Sequence, residues 1–328
     1  MRYVIYGAGA VGGVIAARLS RAGIEVSVVA RGAHLAAILD EGLRFASPNE
    51  RFRVQLPAFG DPSEIDWRGD ETVLMCMKSQ HSQEALDALR SAAGPEVRVV
   101  CCQNGVANER MALRRFAHVY AMVVMLPASH LEPGCVIAQS KIAPGILDAG
   151  RYPQGVDDAI RGVTRDLEAA TFSARPDPRV MRLKYTKLLL NLGNALWAAC
   201  GPVAEGREIL AAARAEALAC FEAASISWAS REEFRERRGD LIQPTPVEGQ
   251  ARGGGSSWQS LARGTGNIEA DFLNGEIVLL GRLHGIATPT NEVLQQVALE
   301  VARARGRPGS FPLDALRARI ERAGRSGG

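Results

Sequence analysis

The first half of the chain alternates short apolar runs with segments whose apolar residues recur every three to four positions. Apolar runs of this length are typical of buried strands, and the segments between them are typical of amphipathic helices. This alternation predicts an α/β fold with a Rossmann-type, doubly wound, mostly parallel sheet. The predicted strands cover residues 2–6, 24–29, 72–77, 97–102 and 119–126, with a hairpin or edge pair at 43–46 and 53–57.

The pattern changes after the segment 173–178, which contains two prolines and few apolar residues. Helical periodicity dominates from there to the end of the chain. We therefore predict a dinucleotide-binding domain over residues 1–175 and an all-α domain over residues 176–328. The predicted helices cover residues 179–199, 203–239, 256–263, 267–284 and 290–304.

Glycines spaced G-x-G-x-x-G follow the first predicted strand and precede the first predicted helix. This context indicates a dinucleotide-binding turn, in which the backbone approaches a pyrophosphate at the N-terminus of the helix. The alternative is a tight turn between strand and helix with no ligand. The residues assigned to the cofactor by this motif are Gly7, Ala8, Gly9, Ala10, Val11 and Gly12.

The residue after the second predicted strand indicates which dinucleotide binds. An NAD site usually has an acidic residue there, whereas this chain has Arg31, which can pair with a 2′-phosphate. Lys78 stands at the end of another predicted strand and can reach a phosphate or a ribose. These two residues predict NADP; the alternatives are a solvent-facing arginine and a simple loop lysine.

Two further residues lie at strand ends that face the same predicted cleft. Asn104 follows the strand at 97–102 and can hydrogen-bond both cofactor and substrate, although Asn-Gly is also a plain turn signal. Ala128 follows the strand at 119–126, and its small side chain fits the wall of a nicotinamide pocket. Both are assigned to the cofactor site, and Asn104 also to the substrate.

Composition narrows the functional classes. A net charge of +3 over 328 residues gives no reason to expect nucleic acid or a membrane as partner. We predict no metal site, because the histidines and cysteines lack ligand spacing. We predict a cytoplasmic protein, because no apolar run is long enough to span a bilayer and the first predicted strand begins at residue 2. Only four of the 39 basic residues are lysines. The pKa of a lysine can be shifted so that it gives and takes a proton, unlike that of an arginine. The four lysines are therefore candidates for proton transfer.

The helix predicted at 179–199 is apolar nearly all round, and we expect it to be buried. Its polar residues share one stripe: Lys187, Asn191 and Asn194, with Lys184 at the edge of the same stripe. A buried lysine is costly without a partner, and burial lowers its pKa toward the range that suits proton transfer. The alternative is a polar stripe that faces solvent.

The candidate site is completed by Ser257 and Glu269, which lie further along the chain. Ser257 follows three glycines and can contact a carboxylate, or it can simply cap a helix. Glu269 follows Asn267, a predicted N-cap, and a carboxylate in a first helical turn is favourable for the helix dipole alone.

Taken in order, these segments resemble the ketopantoate reductase family, which belongs to the 6-phosphogluconate-dehydrogenase-like superfamily. The resemblance implies NADPH-dependent reduction of a 2-oxo acid to a 2-hydroxy acid in pantothenate biosynthesis, most simply of 2-dehydropantoate. It implies Lys187 as proton donor and Asn104, Asn191 and Ser257 as substrate contacts. It places Glu269 at the cofactor or beside the lysine.

The chain departs from the family pattern at Ala195, where the family usually has an asparagine; Asn194 lies on the same face and is assigned to the substrate in its place. Other readings stay open: a reductase or dehydrogenase for a different branched 2-oxo acid or an imine, or a non-catalytic NADP sensor. Lys184 is the rival proton donor. We expect a small-molecule 2-oxo acid as substrate and consider a homodimer, whose face the sequence does not identify.

Overall fold

The computed structural model of the chain describes residues 1–202, 204–247, 253–264 and 266–326. The chain forms two compact units. The first unit contains Met1–Lys184 and Ser230–Arg252, and the second contains Tyr185–Ala229 and Gly253–Gly328. A segment of the chain therefore returns to the first unit after the second has begun. The domain boundary near residue 175 stays a prediction.

All strands of the described residues lie in the first unit, where they form two sheets. In chain order they are β1 (Arg2–Tyr6), β2 (Val26–Val29), β3 (Leu43–Ala46), β4 (Arg51–Val54), β5 (Ala58–Phe59), β6 (Glu71–Met75), β7 (Arg98–Cys101), β8 (His118–Met125), β9 (Ala128–Ser129), β10 (Cys135–Ala138) and β11 (Ile146–Arg151).

The main sheet has the order β11-β8-β7-β6-β1-β2-β5, with every neighbouring pair parallel except β11 and β8. The strand order reverses at β1 and β6, and ligands of doubly wound sheets bind at the carboxyl ends of strands at such a point. Successive residues of β1 alternate between two apolar clusters: Tyr3 and Ile5 belong to one, Val4 and Tyr6 to the other. The sheet is therefore buried on both faces, and the predicted Rossmann-type sheet is confirmed.

The second sheet has four strands in the order β4-β3-β10-β9. It confirms the hairpin predicted near residues 43–57, since β3 and β4 are antiparallel. Strands β9 and β10 pack against the first helix of the chain. This contact brings Ala128, in β9, to the side of the helix that begins at the glycines.

Helices flank the main sheet and make up the second unit. The first six are α1 (Ala10–Arg21), α2 (Gly32–Glu41), α3 (Ser82–Ala93), α4 (Asn108–Leu113), α5 (Asp158–Ala169) and α6 (Val180–Asn191). The others are α7 (Gly193–Cys200), α8 (Arg207–Ala223), α9 (Arg231–Arg238), α10 (Ser256–Ala262), α11 (Asn274–His284), α12 (Pro289–Arg303) and α13 (Leu313–Ser326).

Two of the predicted helices are interrupted in the structure, so their prediction as continuous helices is wrong. The segment 179–199 is interrupted at Leu192, where α6 ends and α7 begins. The segment 267–284 begins with a short 3-10 helix, Glu269–Phe272, and breaks at Leu273 before α11. Ile268, and not Asn267, caps that 3-10 helix.

The helix predicted over 203–239 is also wrong, and its first residue lies outside the described residues. Helix α8 ends at Ala223. Ser225 has a φ of 53°, which is incompatible with a right-handed α-helix, so the helix does not continue through it. A new helix starts at Arg231, because Ser230 and Glu233 form a reciprocal capping box there. The charged segment Arg231–Arg238 is therefore the separate helix α9, which belongs to the first unit, and not the end of a long one.

Candidate active site

The glycine loop, Gly7–Gly12, turns the chain sharply from β1 into α1. Gly7 has a φ of 99°, which side chains with a Cβ rarely adopt. A Cβ on Gly12 would lie 2.2 Å from the carbonyl oxygen of Gly7, whereas a Cβ on Gly9 would meet no atom of the described residues within 4 Å, apart from its chain neighbours and its own helix. The missing Cβ of Gly9 thus leaves open space beside the N-terminus of α1. This geometry fits a dinucleotide, whose pyrophosphate needs close backbone approach at a helix N-terminus.

The other residues predicted for the cofactor follow neighbouring strands at the same edge of the main sheet. Asn104 follows β7, Lys78 follows β6, and Arg31 follows β2, where it precedes α2. Lys78 and Asn104 are half-buried, and Arg31 is exposed. Two cationic side chains on loops that flank the glycine loop can bind the phosphates of a dinucleotide.

A buried hydrogen-bond network joins the loops that carry Lys78 and Asn104. Asn108 Nδ2 donates to Ser79 Oγ at 3.0 Å, and Ser82 Oγ donates to Asn108 Oδ1 at 2.7 Å. Gln103 Nε2 in turn donates to Ser82 Oγ at 3.3 Å. Sequence reasoning missed these contacts, because no local pattern links two loops separated by about one βα unit. The network fixes the spacing of the two loops.

Lys184, the rival proton donor, lies deep in the first unit. Its side chain is only 2% exposed and forms an ion pair with Glu109, which is fully buried. Its Nζ also donates to the carbonyl oxygen of Gln103 at 3.1 Å. Both partners belong to the framework of the first unit, so Lys184 has a structural role in holding the loop before Asn104.

Lys187, Asn191 and Asn194 lie in the second unit, on α6 and α7. Lys187 is half-buried. The Nδ2 of Asn191 is buried and makes no hydrogen bond within the described residues, so this donor is available for an oxygen of a bound molecule. The expectation of burial all round is wrong, because Leu190 and Trp197 are 36% and 41% exposed.

Asn194 and Ser257 lie on two helices of the second unit, α7 and α10, that pack against each other. The Oδ1 of Asn194 lies 3.2 Å from the place of a Cβ on Gly255, which is the N-cap of α10. Ser257 is inside α10 and 3% exposed, so its interpretation as a helix cap is wrong. A glycine at position 255 lets α10 approach α7 at the asparagine, and both polar side chains belong to the same helix pair.

A buried polar network pins the junction of α6 and α7. Asn274 Nδ2 donates to the carbonyl oxygen of Leu192 at 3.2 Å and to Asn291 Oδ1 at 3.1 Å. Asn291 Nδ2 donates to Glu216 Oε2 at 2.7 Å. Leu192 lies between Asn191 and Asn194 in the chain, so the network fixes the stretch of backbone that carries both. Sequence reasoning did not find it.

Glu269 begins the 3-10 helix before α11 and is 7% exposed. A carboxylate so deeply buried needs polar partners, which distinguishes it from a surface residue placed in a first turn for the helix dipole alone.

Among the described residues there is no cluster of three metal-ligating side chains and no helix long and apolar enough to cross a membrane.

Comparison with known proteins places the chain in a family. Residues 3–154 match the family model described as ketopantoate reductase PanE/ApbA, and residues 179–302 match the model for its C-terminal part. The chain is 24% identical over 310 residues to the 2-dehydropantoate 2-reductase of Aquifex aeolicus, covering 90% of this chain and 96% of that protein. It is 32% identical to the corresponding protein of Mesorhizobium japonicum over 174 residues, about half of each chain.

Solved structures agree with this placement. The PanE/ApbA family ketopantoate reductase of Ralstonia eutropha JMP134 superimposes with a TM-score of 0.78 at 28% identity, covering 93% of this chain and 99% of that one. A ternary complex of D-mandelate dehydrogenase with NADH and anilino(oxo)acetate superimposes with a TM-score of 0.80 at 20% identity, over the same shares of each chain. At that identity the likeness concerns the fold alone. The chain therefore belongs to the ketopantoate reductase family, whose members are oxidoreductases that use NADPH.

Proposed function

We propose that this protein reduces a 2-oxo acid with NADPH, and that its substrate is 2-dehydropantoate, which it converts to pantoate for pantothenate biosynthesis. The observation that carries the proposal is the match of both parts of the chain to the ketopantoate reductase family. Relatives named 2-dehydropantoate 2-reductase in Aquifex and Pyrococcus support it, since they match over at least 95% of their own length.

In this proposal Lys187 is the proton donor. NADPH, when bound, supplies the hydride that adds to the ketone carbon. The ammonium group of Lys187 stabilises the negative charge that develops on the ketone oxygen and transfers its proton there, which yields the hydroxyl group. Lys184 is unsuited to this task, because its ammonium is already committed to Glu109 and the Gln103 carbonyl.

The remaining polar groups would bind and orient the acid. The buried Nδ2 of Asn191 lacks a hydrogen bond within the described residues and is suited to donate to the keto oxygen. Asn194 and Ser257 lie on adjoining helices and would contact the carboxylate or a distal polar group. Asn104 would contact both cofactor and substrate, and Glu269 would contact the cofactor or orient Lys187.

For the cofactor, we propose that Gly7–Gly12 receives the pyrophosphate and that Ala128 lines the nicotinamide pocket. The positive charges of Arg31 and Lys78 would bind the adenosine phosphates, including the 2′-phosphate that distinguishes NADP from NAD. Residues 1–175 would bind the cofactor and residues 176–328 the substrate. We also propose a cytoplasmic location and a small-molecule substrate; a homodimer stays a prediction.

A different 2-oxo acid is the second candidate substrate. Ala195 stands where the family usually has an asparagine, and Asn194 is one position away from it. The D-mandelate dehydrogenase structure, with its bound anilino(oxo)acetate, has the same fold. A branched or aromatic 2-oxo acid would fit a site in which this amide stands at position 194 and not at position 195.

The test is NADPH oxidation by the purified protein with a panel of 2-oxo acids and imines, followed by identification of the product. A Lys187→Met variant should lose about 10²- to 10⁴-fold in kcat while its affinity for NADPH is retained. Lys141→Met is the matched control, because Lys141 is exposed and lies in the first unit.

Each contrary outcome has a clear meaning. Full turnover by Lys187→Met would rule out Lys187 as the acid. Tight NADPH binding without turnover of any substrate, unaffected by Lys187→Arg, would indicate a sensor. Preferred turnover of another 2-oxo acid or of an imine would replace 2-dehydropantoate as substrate.

A further inference from the structure

His34, on α2, lies between two backbone segments of the first unit. Its Nε2 is 2.7 Å from the carbonyl oxygen of Ala8, in the glycine loop. Its Nδ1 accepts a hydrogen bond of 2.9 Å from the backbone N–H of Gly134, just before β10. One half-buried imidazole therefore connects the glycine loop to the second sheet.

The two contacts determine the tautomer of this histidine. The backbone N–H of Gly134 is a donor, so Nδ1 must be an unprotonated acceptor. The proton of the neutral ring is then on Nε2, which donates it to Ala8. Burial, and next the neighbouring ring of His130 with its centroid 4.1 Å away, lower the pKa of His34 below its usual value. The neutral form is thus the one present at neutral pH.

The Ala8 carbonyl controls the orientation of a group that a pyrophosphate needs. In a planar trans peptide the C=O of one residue and the N–H of the next point in opposite directions. Fixing the oxygen of Ala8 therefore fixes the direction of the Gly9 N–H. A Cβ on Gly13 would lie 2.7 Å from this oxygen, so α1 also approaches it closely. The carbonyl is held between α1 and His34.

We propose that His34 is a positioning residue of the cofactor site, which holds the Ala8–Gly9 peptide in the orientation that a bound pyrophosphate uses. This inference rests on the proposed function, because it takes NADPH as the ligand of the glycine loop. His34 acts through the backbone of the loop and has no role in the chemical step.

Two near-isosteric variants separate the two hydrogen bonds. The amide of His34→Gln occupies the place of Nε2 and keeps a donor to Ala8, whereas the amide of His34→Asn occupies the place of Nδ1 and keeps only an acceptor toward Gly134. His118→Asn is the control, because the side chain of His118, at the start of β8, is 43% exposed and lies beside Glu96. His34→Ser, which loses both bonds, replaces His34→Asn if that variant fails to fold.

Two measurements are made on each folded variant: the dissociation constant of NADPH by fluorescence titration, and hydrogen exchange of residues 5–14 in the unliganded protein. We expect His34→Gln to bind within about threefold of the parent and His34→Asn to bind on the order of tenfold more weakly, with kcat at saturating NADPH unchanged. Exchange of the loop should be faster in His34→Asn than in His34→Gln.

Equal NADPH affinity in both variants, or an equal loss in both with equal exchange, would overturn the inference. A parent protein that binds no NADPH would overturn the proposed function instead. In that case the difference in exchange between the two variants alone decides whether His34 holds the loop.

Discussion

The Nζ of Lys184 lies 3.1 Å from the backbone carbonyl oxygen of Gln103, the residue before Asn104. The same ammonium pairs with the buried carboxylate of Glu109, at the second position of α4. One lysine thus ties the loop after β7 to the helix that follows it. Of the two lysines on α6, this one stabilises the loop, whereas the proposed function assigns proton transfer to Lys187.

We expect Lys184→Met to destabilise the protein by about 3–5 kcal/mol, because it leaves Glu109 buried without its counter-charge. Urea unfolding followed by circular dichroism measures this loss, with Lys141→Met as the control. A Lys184→Met, Glu109→Leu double variant should recover part of the stability, since it removes both charges. A Lys184→Met variant that is fully stable but inactive would identify Lys184 as the acid after all.

The glycine loop allows a test that separates folding from cofactor binding. Gly12→Ala should destabilise the protein by about 1–3 kcal/mol, because its Cβ would overlap the Gly7 carbonyl oxygen. Gly9→Ala should leave stability within about 0.5 kcal/mol, because its Cβ, apart from its chain neighbours and its own helix, meets no atom of the described residues within 4 Å. The same Gly9→Ala change should weaken NADPH binding, because the methyl group fills the space that the pyrophosphate needs.

Unfolding curves and NADPH titrations of both variants make this comparison. A Gly9→Ala variant that is as stable as the parent and binds NADPH equally well would show that the open side of the loop does not receive the cofactor.

The elements that depend on local pattern were predictable from the sequence. β1, the glycine loop and α1 are contiguous, and their periodicity and glycine spacing determine the turn between them. The breaks in the predicted long helices were not predictable in this way. Apolar periodicity continues past Ala223, and the positive φ of Ser225 is visible only in the structure. The spacing of Ser230 and Glu233 is a capping-box signature that the sequence does carry, and it marks the start of the new helix.

Contacts between residues far apart in the chain could not be predicted from the sequence either. The polar stripe on α6 drew attention to both of its lysines, but the partner of Lys184 is 75 residues away in the sequence. When its partner Glu109 is not known, a buried lysine is as consistent with a catalytic role as with a structural one. The return of Ser230–Arg252 to the first unit likewise depends on a pairing across 89 residues, between Asp148 and Arg237.

That pairing gives the third prediction. Arg237, on α9, binds the buried carboxylate of Asp148 on β11 through both Nε and Nη2. Arg237→Met should destabilise the protein by about 3–5 kcal/mol, because Asp148 stays buried and charged without its partner. Arg235→Met, on the same helix but exposed, is the control. Equal unfolding midpoints for the two variants would show that the ion pair does not hold α9 on the first unit.

The last prediction concerns the backbone between Asn191 and Asn194. Asn274→Leu removes the donor to the Leu192 carbonyl with little change in volume and leaves that buried oxygen short of a partner, so we expect a loss of about 1–3 kcal/mol in stability. Because the junction carries both asparagines, KM for the 2-oxo acid should rise while the NADPH dissociation constant stays unchanged.

Gln295→Ala is the control for Asn274→Leu, since Gln295 also donates a side-chain hydrogen bond within the second unit, but to the exposed Asp271. It should change neither stability nor KM appreciably, because water replaces a hydrogen bond lost at the surface. Should Asn274→Leu lower stability without raising KM, the network would support the fold of the helices but not the position of the substrate contacts. A rise in KM for the acid together with weaker NADPH binding would instead indicate a global loosening of the protein.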